Sequence, residues 1–159
     1  MTPTSNDSIS RLFFQVIRLH YQRNQMLLDT VGLYPGQPPL LVALSRVDGW
    51  KQKELANLLH IKAATLTVML GRMEKSGFIE RRQDPNDQRI SRVYLTDKGR
   101  DVCVKMQEVM QTLRDECFQH FSPEDTLTMQ RLFGQMRDNL AQAVGLERPF
   151  KTDGCNGQE

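Results

Sequence analysis

Asp87 and Arg89 stand two residues apart in a turn-rich hexapeptide, Asp84-Pro85-Asn86-Asp87-Gln88-Arg89, with Arg82 and Arg92 on either side. An arginine on a protruding tip suits the minor groove of A·T-rich DNA, where the potential is most negative. Asp87 is too close to Arg89 to welcome a phosphate, and is expected to brace the arginine's direction. Arg82 and Arg92 are expected to meet the sugar–phosphate backbone. Upstream, Lys62, Ala64, Thr65, Thr67, Val68, Gly71, Arg72 and Lys75 lie on or beside one side of a helical wheel, opposite Leu66, Leu70 and Met73. Small side chains let such a face approach a groove, threonine can bond to base edges or phosphates, and the two late cations suit phosphates. An ordinary solvent-facing helix would carry more Glu and Lys.

Other chemistries find less support. No Gly-rich phosphate loop, nucleophile elbow or paired metal ligands occur, and His20, His60 and His120 sit in three different helical contexts. Neither an enzyme nor a bound cofactor is expected. Cys103, Cys117 and Cys155 are odd in number and lack CxxC spacing, which argues against a zinc site or a disulfide framework. Cys103 and Cys117 are candidate redox residues, against the plainer reading of buried thiols behaving as small hydrophobes. Cys117 and His120 have a metal-like spacing with no further ligand nearby, so no metal is expected.

These residues need elements to hold them. Apolar spacing predicts a long helix over 8–31, stopped by Gly32 and Tyr34-Pro35-Gly36, and a shorter one from Pro38-Pro39 to Asp48-Gly49. A third helix, 51–59, turns Leu55, Leu58 and Leu59 inward. A break at His60-Ile61 leads to a fourth, about 62–76, closed by Gly77 in a left-handed backbone. Together these form a helix–turn–helix, in which the first helix braces a second that enters the major groove. Two strands, 78–83 and 90–95, flank the polar turn. Thr96 caps a fifth helix of about 25 residues, with Asp97 in its first turn. Ser122-Pro123-Glu124-Asp125 starts a sixth, whose apolar face is Leu132, Phe133, Met136, Leu140 and Val144. The tail, 147–159, is expected to be disordered.

The net charge of +2 hides a gradient. Residues 51–100 carry eleven basic and six acidic side chains, a net of +5, whereas 101–159 carry a net of −4. A local basic excess is what a phosphate-binding surface requires. With 39% hydrophobic and 25% charged residues the chain is globular. It shows neither a membrane-length apolar run nor a signal-peptide pattern, and a cytoplasmic location is expected.

Four groups of residues resemble one known family. Gln52-Lys53-Glu54-Leu55-Ala56, Arg72 to Arg81, Asp87-x-Arg89 and Leu95-Thr96-x-x-Gly99 are similar to the MarR family of bacterial winged-helix regulators. The resemblance implies a mainly α fold with a small β-hairpin wing: a winged helix-turn-helix with six helices, the terminal ones forming a dimerisation region. The corresponding divisions are 1–35 for the N-terminal dimerisation helix, 36–98 for the DNA-binding domain, 99–146 for the C-terminal dimerisation helices and 147–159 for the tail. It further implies a triangular homodimer on a pseudo-palindromic double-stranded DNA operator, with helix 62–76 in the major groove and wing 82–92 in the minor groove. Such proteins are mostly repressors, often released by small-molecule effectors (aromatic ligands, phenols among them) or by thiol oxidation. His20, Tyr21, Tyr34, Trp50 and Met69 are candidate ligand-binding residues, although aromatic and Met residues at helical spacing are more often core. Lys51 and Lys62 depart from the hydroxyl residues usual in the family at these helix starts, and Gly71 from a polar one. The alternative is a winged-helix protein–protein interaction module without sequence-specific DNA binding, which the basic central segment disfavours.

Overall fold

In the computed structural model, which describes residues 5–145, helix α1 spans Ser5–Asp29 and α2 spans Gln37–Arg46. A short strand β1 (Trp50–Lys51), helix α3 (Gln52–Leu58) and helix α4 (Ala63–Lys75) follow. Strands β2 (Ile79–Gln83) and β3 (Ser91–Leu95) form the hairpin, and helices α5 (Asp97–Cys117) and α6 (Pro123–Ala143) follow. The described residues divide into two compact units, one running to Cys117 and one starting at Phe118. The tail and Cys155 lie outside the described residues. Among the described residues the fold is a mainly α winged helix-turn-helix, with six helices and a small antiparallel sheet.

In the first unit the apolar stripes meet in one core. Leu66, Leu70 and Met73, the inner face of α4, are fully buried with Leu28, Leu40, Leu41 and Leu44 from the first two helices. α5 adds Val102, Met106 and Val109 at the i, i+4, i+7 spacing of one helix face. In α3 the expected inward trio is corrected. Leu55 and Ala56 are buried and Leu59 is partly buried, whereas Leu58 is 49% exposed. The inward direction of this short helix lies between Leu55 and Ala56, which puts Leu58 on the flank.

The sheet has three strands in the order β1-β3-β2, one more than the two-strand expectation. Trp50 pairs with Val93 and Lys51 with Arg92, so β3 is central. Gly49 makes the pairing possible. It has φ +79, and an added Cβ would lie 3.0 Å from the Tyr94 ring.

In the second unit, Ser122 Oγ accepts from the Asp125 amide at 3.1 Å and Asp125 Oδ2 accepts from the Ser122 amide at 2.9 Å, a reciprocal capping box. Of α6 only Ala141 is buried; Leu132, Phe133, Leu140 and Val144 are exposed. α1 similarly exposes Ile9, Leu12, Phe14, Val16 and Ile17. No helix among the described residues is long and apolar enough to cross a membrane.

Candidate nucleic-acid interface

The outer face of α4 is open. Ala64, Thr65, Thr67, Val68, Arg72 and Lys75 are all exposed, as is Lys62 at the N-cap. Lys62, Arg72 and Lys75 form no ion pair among the described residues. Thr67 is anchored twice: its hydroxyl donates to the Ala63 carbonyl at 2.9 Å and accepts from Gln52 Nε2 at 2.7 Å. Gln52, the first residue of α3, thereby ties the two helices together at their entry. Nothing local in the sequence marks this pair, because its members are 15 residues apart. Arg81 is spent on Glu74 at the far end of α4, with its Nε 3.0 Å from the carboxylate. That hydrogen bond holds Glu74 below the ordinary carboxylate range.

Gly71 lies inside α4 with open space where a Cβ would stand. Glycine inside a helix costs about 0.5–1 kcal/mol relative to alanine. Gly71→Ala is therefore expected to stabilise the protein by about that amount, read as a higher denaturant midpoint at constant slope.

The wing is organised around Asp84, the first residue of the turn-rich hexapeptide. Asp84 is 4% exposed. Its Oδ1 accepts from the Asn86 amide at 2.8 Å and the Asp87 amide at 3.3 Å, an Asx turn closed over Pro85. Its Oδ2 accepts from Arg92 Nε, and the same guanidinium donates through Nη1 to the Gly49 carbonyl at 2.8 Å. The Asn86 amide, then the Arg92 guanidinium, hold this carboxyl below the usual range. Arg92, expected at a phosphate, forms a strut between the wing and the β1 turn in this fold. Arg82 also has partners within the chain: it pairs with Glu80 and lies 4.9 Å from the Tyr94 ring centre.

Asp87 braces the tip through the main chain. Its Oδ1 accepts from the Arg89 amide at 3.0 Å, and its carbonyl accepts from the Ile90 amide at 2.9 Å. The Arg89 side chain is exposed and makes no ion pair among the described residues. The bracing is thus of the backbone beneath Arg89, not of its guanidinium.

Between wing and α5 the chain is clamped. Thr96 Oγ1 accepts from the Gly99 amide at 3.0 Å, capping α5, and donates to the Gly77 carbonyl at 2.6 Å. The Thr96 amide donates to the Phe78 carbonyl at 3.1 Å, and Lys98 Nζ to the Ser76 carbonyl at 2.8 Å. Three successive carbonyls at the end of α4 are therefore satisfied by the start of α5. Gly77 makes the turn at φ +74.

The candidate ligand residues divide into two groups. Trp50, whose Nε1 donates to the Ala43 carbonyl at 3.2 Å, and Met69 are partly buried against the core. His20, Tyr21 and Tyr34 are exposed. Two open surface concavities contain none of the five. One centres on His120, Phe121 and Met129, the other on Asp48, Glu80, Tyr94 and Arg100. Of the candidate redox residues, Cys103 is buried, with Sγ 4.0 Å from the Leu41 carbonyl, and burial pushes its thiol pKa up. It is a packed thiol rather than a poised thiolate. Cys117 is exposed.

An open-faced helix, braced by a shorter one and followed by a wing with a cationic tip, defines the winged helix-turn-helix class of fold. Residues 33–91 match the model of the MarR family. The uncharacterized HTH-type transcriptional regulator YdgJ of Bacillus subtilis is 28% identical over 109 residues, which cover 69% of this chain and 66% of that protein. A crystal structure of MarR is similar with a TM-score of 0.68 at 26% identity, over 86% of this chain and 92% of that one. The transcriptional repressor CouR, bound to a 23-mer DNA duplex, shares the fold with a TM-score of 0.68 at 22% identity, over 83% and 91% of the two chains. Over residues 33–91 the chain is thus similar in sequence to the MarR family, and over most of its described length it is similar in fold to MarR.

Proposed function

We propose that the chain is a homodimeric, sequence-specific DNA-binding repressor, with α4 in the major groove and Arg89 in the minor groove of each half-site. The observation that carries this reading is the pairing pattern of the cations. Arg81, Arg82 and Arg92 have acidic partners within the fold, while Lys62, Arg72, Lys75 and Arg89 stand exposed without one among the described residues. Exposed cations along one helix face and at a hairpin tip are what phosphates and a narrow groove require. The DNA duplex held by CouR, a protein of the same fold, supports the same partner.

Dimerisation is supported by the large apolar side chains exposed along α1 and along α6, which a second subunit would cover. A dimer places two α4 helices against half-sites about 34 Å apart. Light scattering is expected to give twice the chain mass, and a monomer would remove the basis for a palindromic operator.

Release is proposed to follow binding of a small phenolic effector, acting through the α4–α5 clamp. Burial disfavours oxidation at Cys103 itself. A panel of simple phenols is expected to include one that raises the melting temperature and lowers DNA affinity. If none does both, phenolic control is wrong.

The test of the core proposal is a fluorescence anisotropy titration with DNA from upstream of the gene, at two salt concentrations. Specific binding with a steep salt slope is expected. Arg89→Ala should weaken it roughly ten- to hundredfold without changing the dimer. Equal affinity for random DNA, or a flat salt response, would sink the reading.

A further inference from the structure

We propose that Val68 reads the 5-methyl group of thymine, so that the centre of the α4 surface recognises A·T pairs by methyl contact rather than guanine by hydrogen bonds. The inference rests on the DNA-binding reading above and names the base chemistry it uses.

Val68 is 56% exposed in the middle of α4. A β-branched residue at an exposed helical position gains nothing from packing and slightly disfavours the helix. Its neighbours along the face are as apolar or smaller. Ala64, one turn earlier, offers only a methyl group. Gly71, one turn later, offers nothing, and a side chain there would meet no atom within 4 Å. Packing therefore does not require glycine at 71, but close approach of another molecule to Val68 does benefit from it.

The remaining hydroxyls narrow the choice. Thr67 gives its proton to the Ala63 carbonyl and accepts from Gln52, so it has no proton left for a purine acceptor. Thr65 alone keeps a hydroxyl free of partners among the described residues. Guanine is most often read by a bidentate Arg or Lys on O6 and N7, and no cation stands at this centre. The cations stand at the two ends, Lys62 before the first turn and Arg72 and Lys75 in the last. Positive ends around an apolar middle complement the major groove at an A·T pair, where flanking phosphates are negative and the thymine methyl projects from the floor.

The whole chain is first used to enrich half-sites from a random duplex pool. The enriched duplex is then remade with deoxyuridine replacing each thymidine in turn, which removes one methyl and leaves the hydrogen-bonding edge intact. One thymidine per half-site is expected to be sensitive, with roughly fourfold weaker binding on replacement, the effect of burying one methyl. Val68→Ala, folded by circular dichroism, should bind the thymidine and deoxyuridine duplexes alike. Arg89→Ala should weaken both by the same factor. Enrichment without any sensitive thymidine, or sensitivity that survives in Val68→Ala, overturns the assignment to Val68. A pool that is not enriched at all overturns the DNA-binding reading together with it, and the missing enrichment tells the two failures apart.

Discussion

Gly99→Ala is expected to be among the most damaging single substitutions in the chain, although it exchanges glycine for the best helix former inside a helix. An added Cβ would stand 1.9 Å from the Phe78 carbonyl oxygen and 3.1 Å from Leu95 Cδ2. That carbonyl is not free to move, because it accepts from the Thr96 amide while Thr96 Oγ1 holds the Gly77 carbonyl beside it. Relief requires lifting the first turn of α5 off the end of α4, which undoes the clamp. Overpacking against side chains costs about 1–3 kcal/mol, and a backbone atom yields less, so a loss of about 3 kcal/mol or more is expected. The gain in helix propensity offsets at most about 1 kcal/mol of it. Gly134→Ala, also inside a helix but with open space around it, supplies the control and should stabilise slightly. Chemical denaturation of both variants checks the prediction; equal midpoints would mean that Gly99 is not a contact of close approach.

The same junction shows what the sequence could disclose. The Leu-Thr-x-x-Gly pattern was readable as a cap followed by glycine, since Thr at an N-cap is a local rule. That Thr96 also grips the end of α4, and that Gly99 lies against Phe78, depends on segments some twenty residues apart. The α4 face was legible for a related reason: Leu66, Leu70 and Met73 declare the buried side, and the exposed side follows by elimination. Strand β1 was missed because two residues have no periodicity; it exists only through its pairing with β3. Asp84 was taken for a tip residue because Asp-Pro-Asn suits any turn, and its inward direction is set by Arg92 across the hairpin. The ligand candidates rest on residue type. Aromatic type alone marked Trp50 and Tyr34, yet one packs against the core and the other is exposed.

Asp84→Ala should cost at least as much DNA affinity as Arg89→Ala, although residue 84 is buried and touches no groove in the proposed complex. Removing the carboxylate frees the Asn86 and Asp87 amides and leaves Arg92 without its acidic partner. The tip then loses the backbone path that presents Arg89, so a loss of roughly ten- to hundredfold is expected. Unfolding should remain cooperative, because the core leucines are untouched. Trypsin reports the wing directly, since cleavage after Arg89 should become fast. Arg92→Lys separates charge from geometry: a single ammonium keeps the ion pair but cannot also reproduce the fork to the Gly49 carbonyl, so an intermediate loss is expected. The pH dependence has a definite sign. The folded pKa of Asp84 lies below the ordinary carboxylate value of about 3.9, so its stabilisation is fully present above that value and is lost as pH falls through the depressed folded pKa. Trypsin needs neutral solution, so amide exchange at Arg89 serves for this arm: protection should show no titration of Asp84 between about pH 5 and 8 and should collapse only in strong acid. Wild-type DNA affinity and unchanged cleavage in Asp84→Ala would remove the strut from the account of how the wing is held.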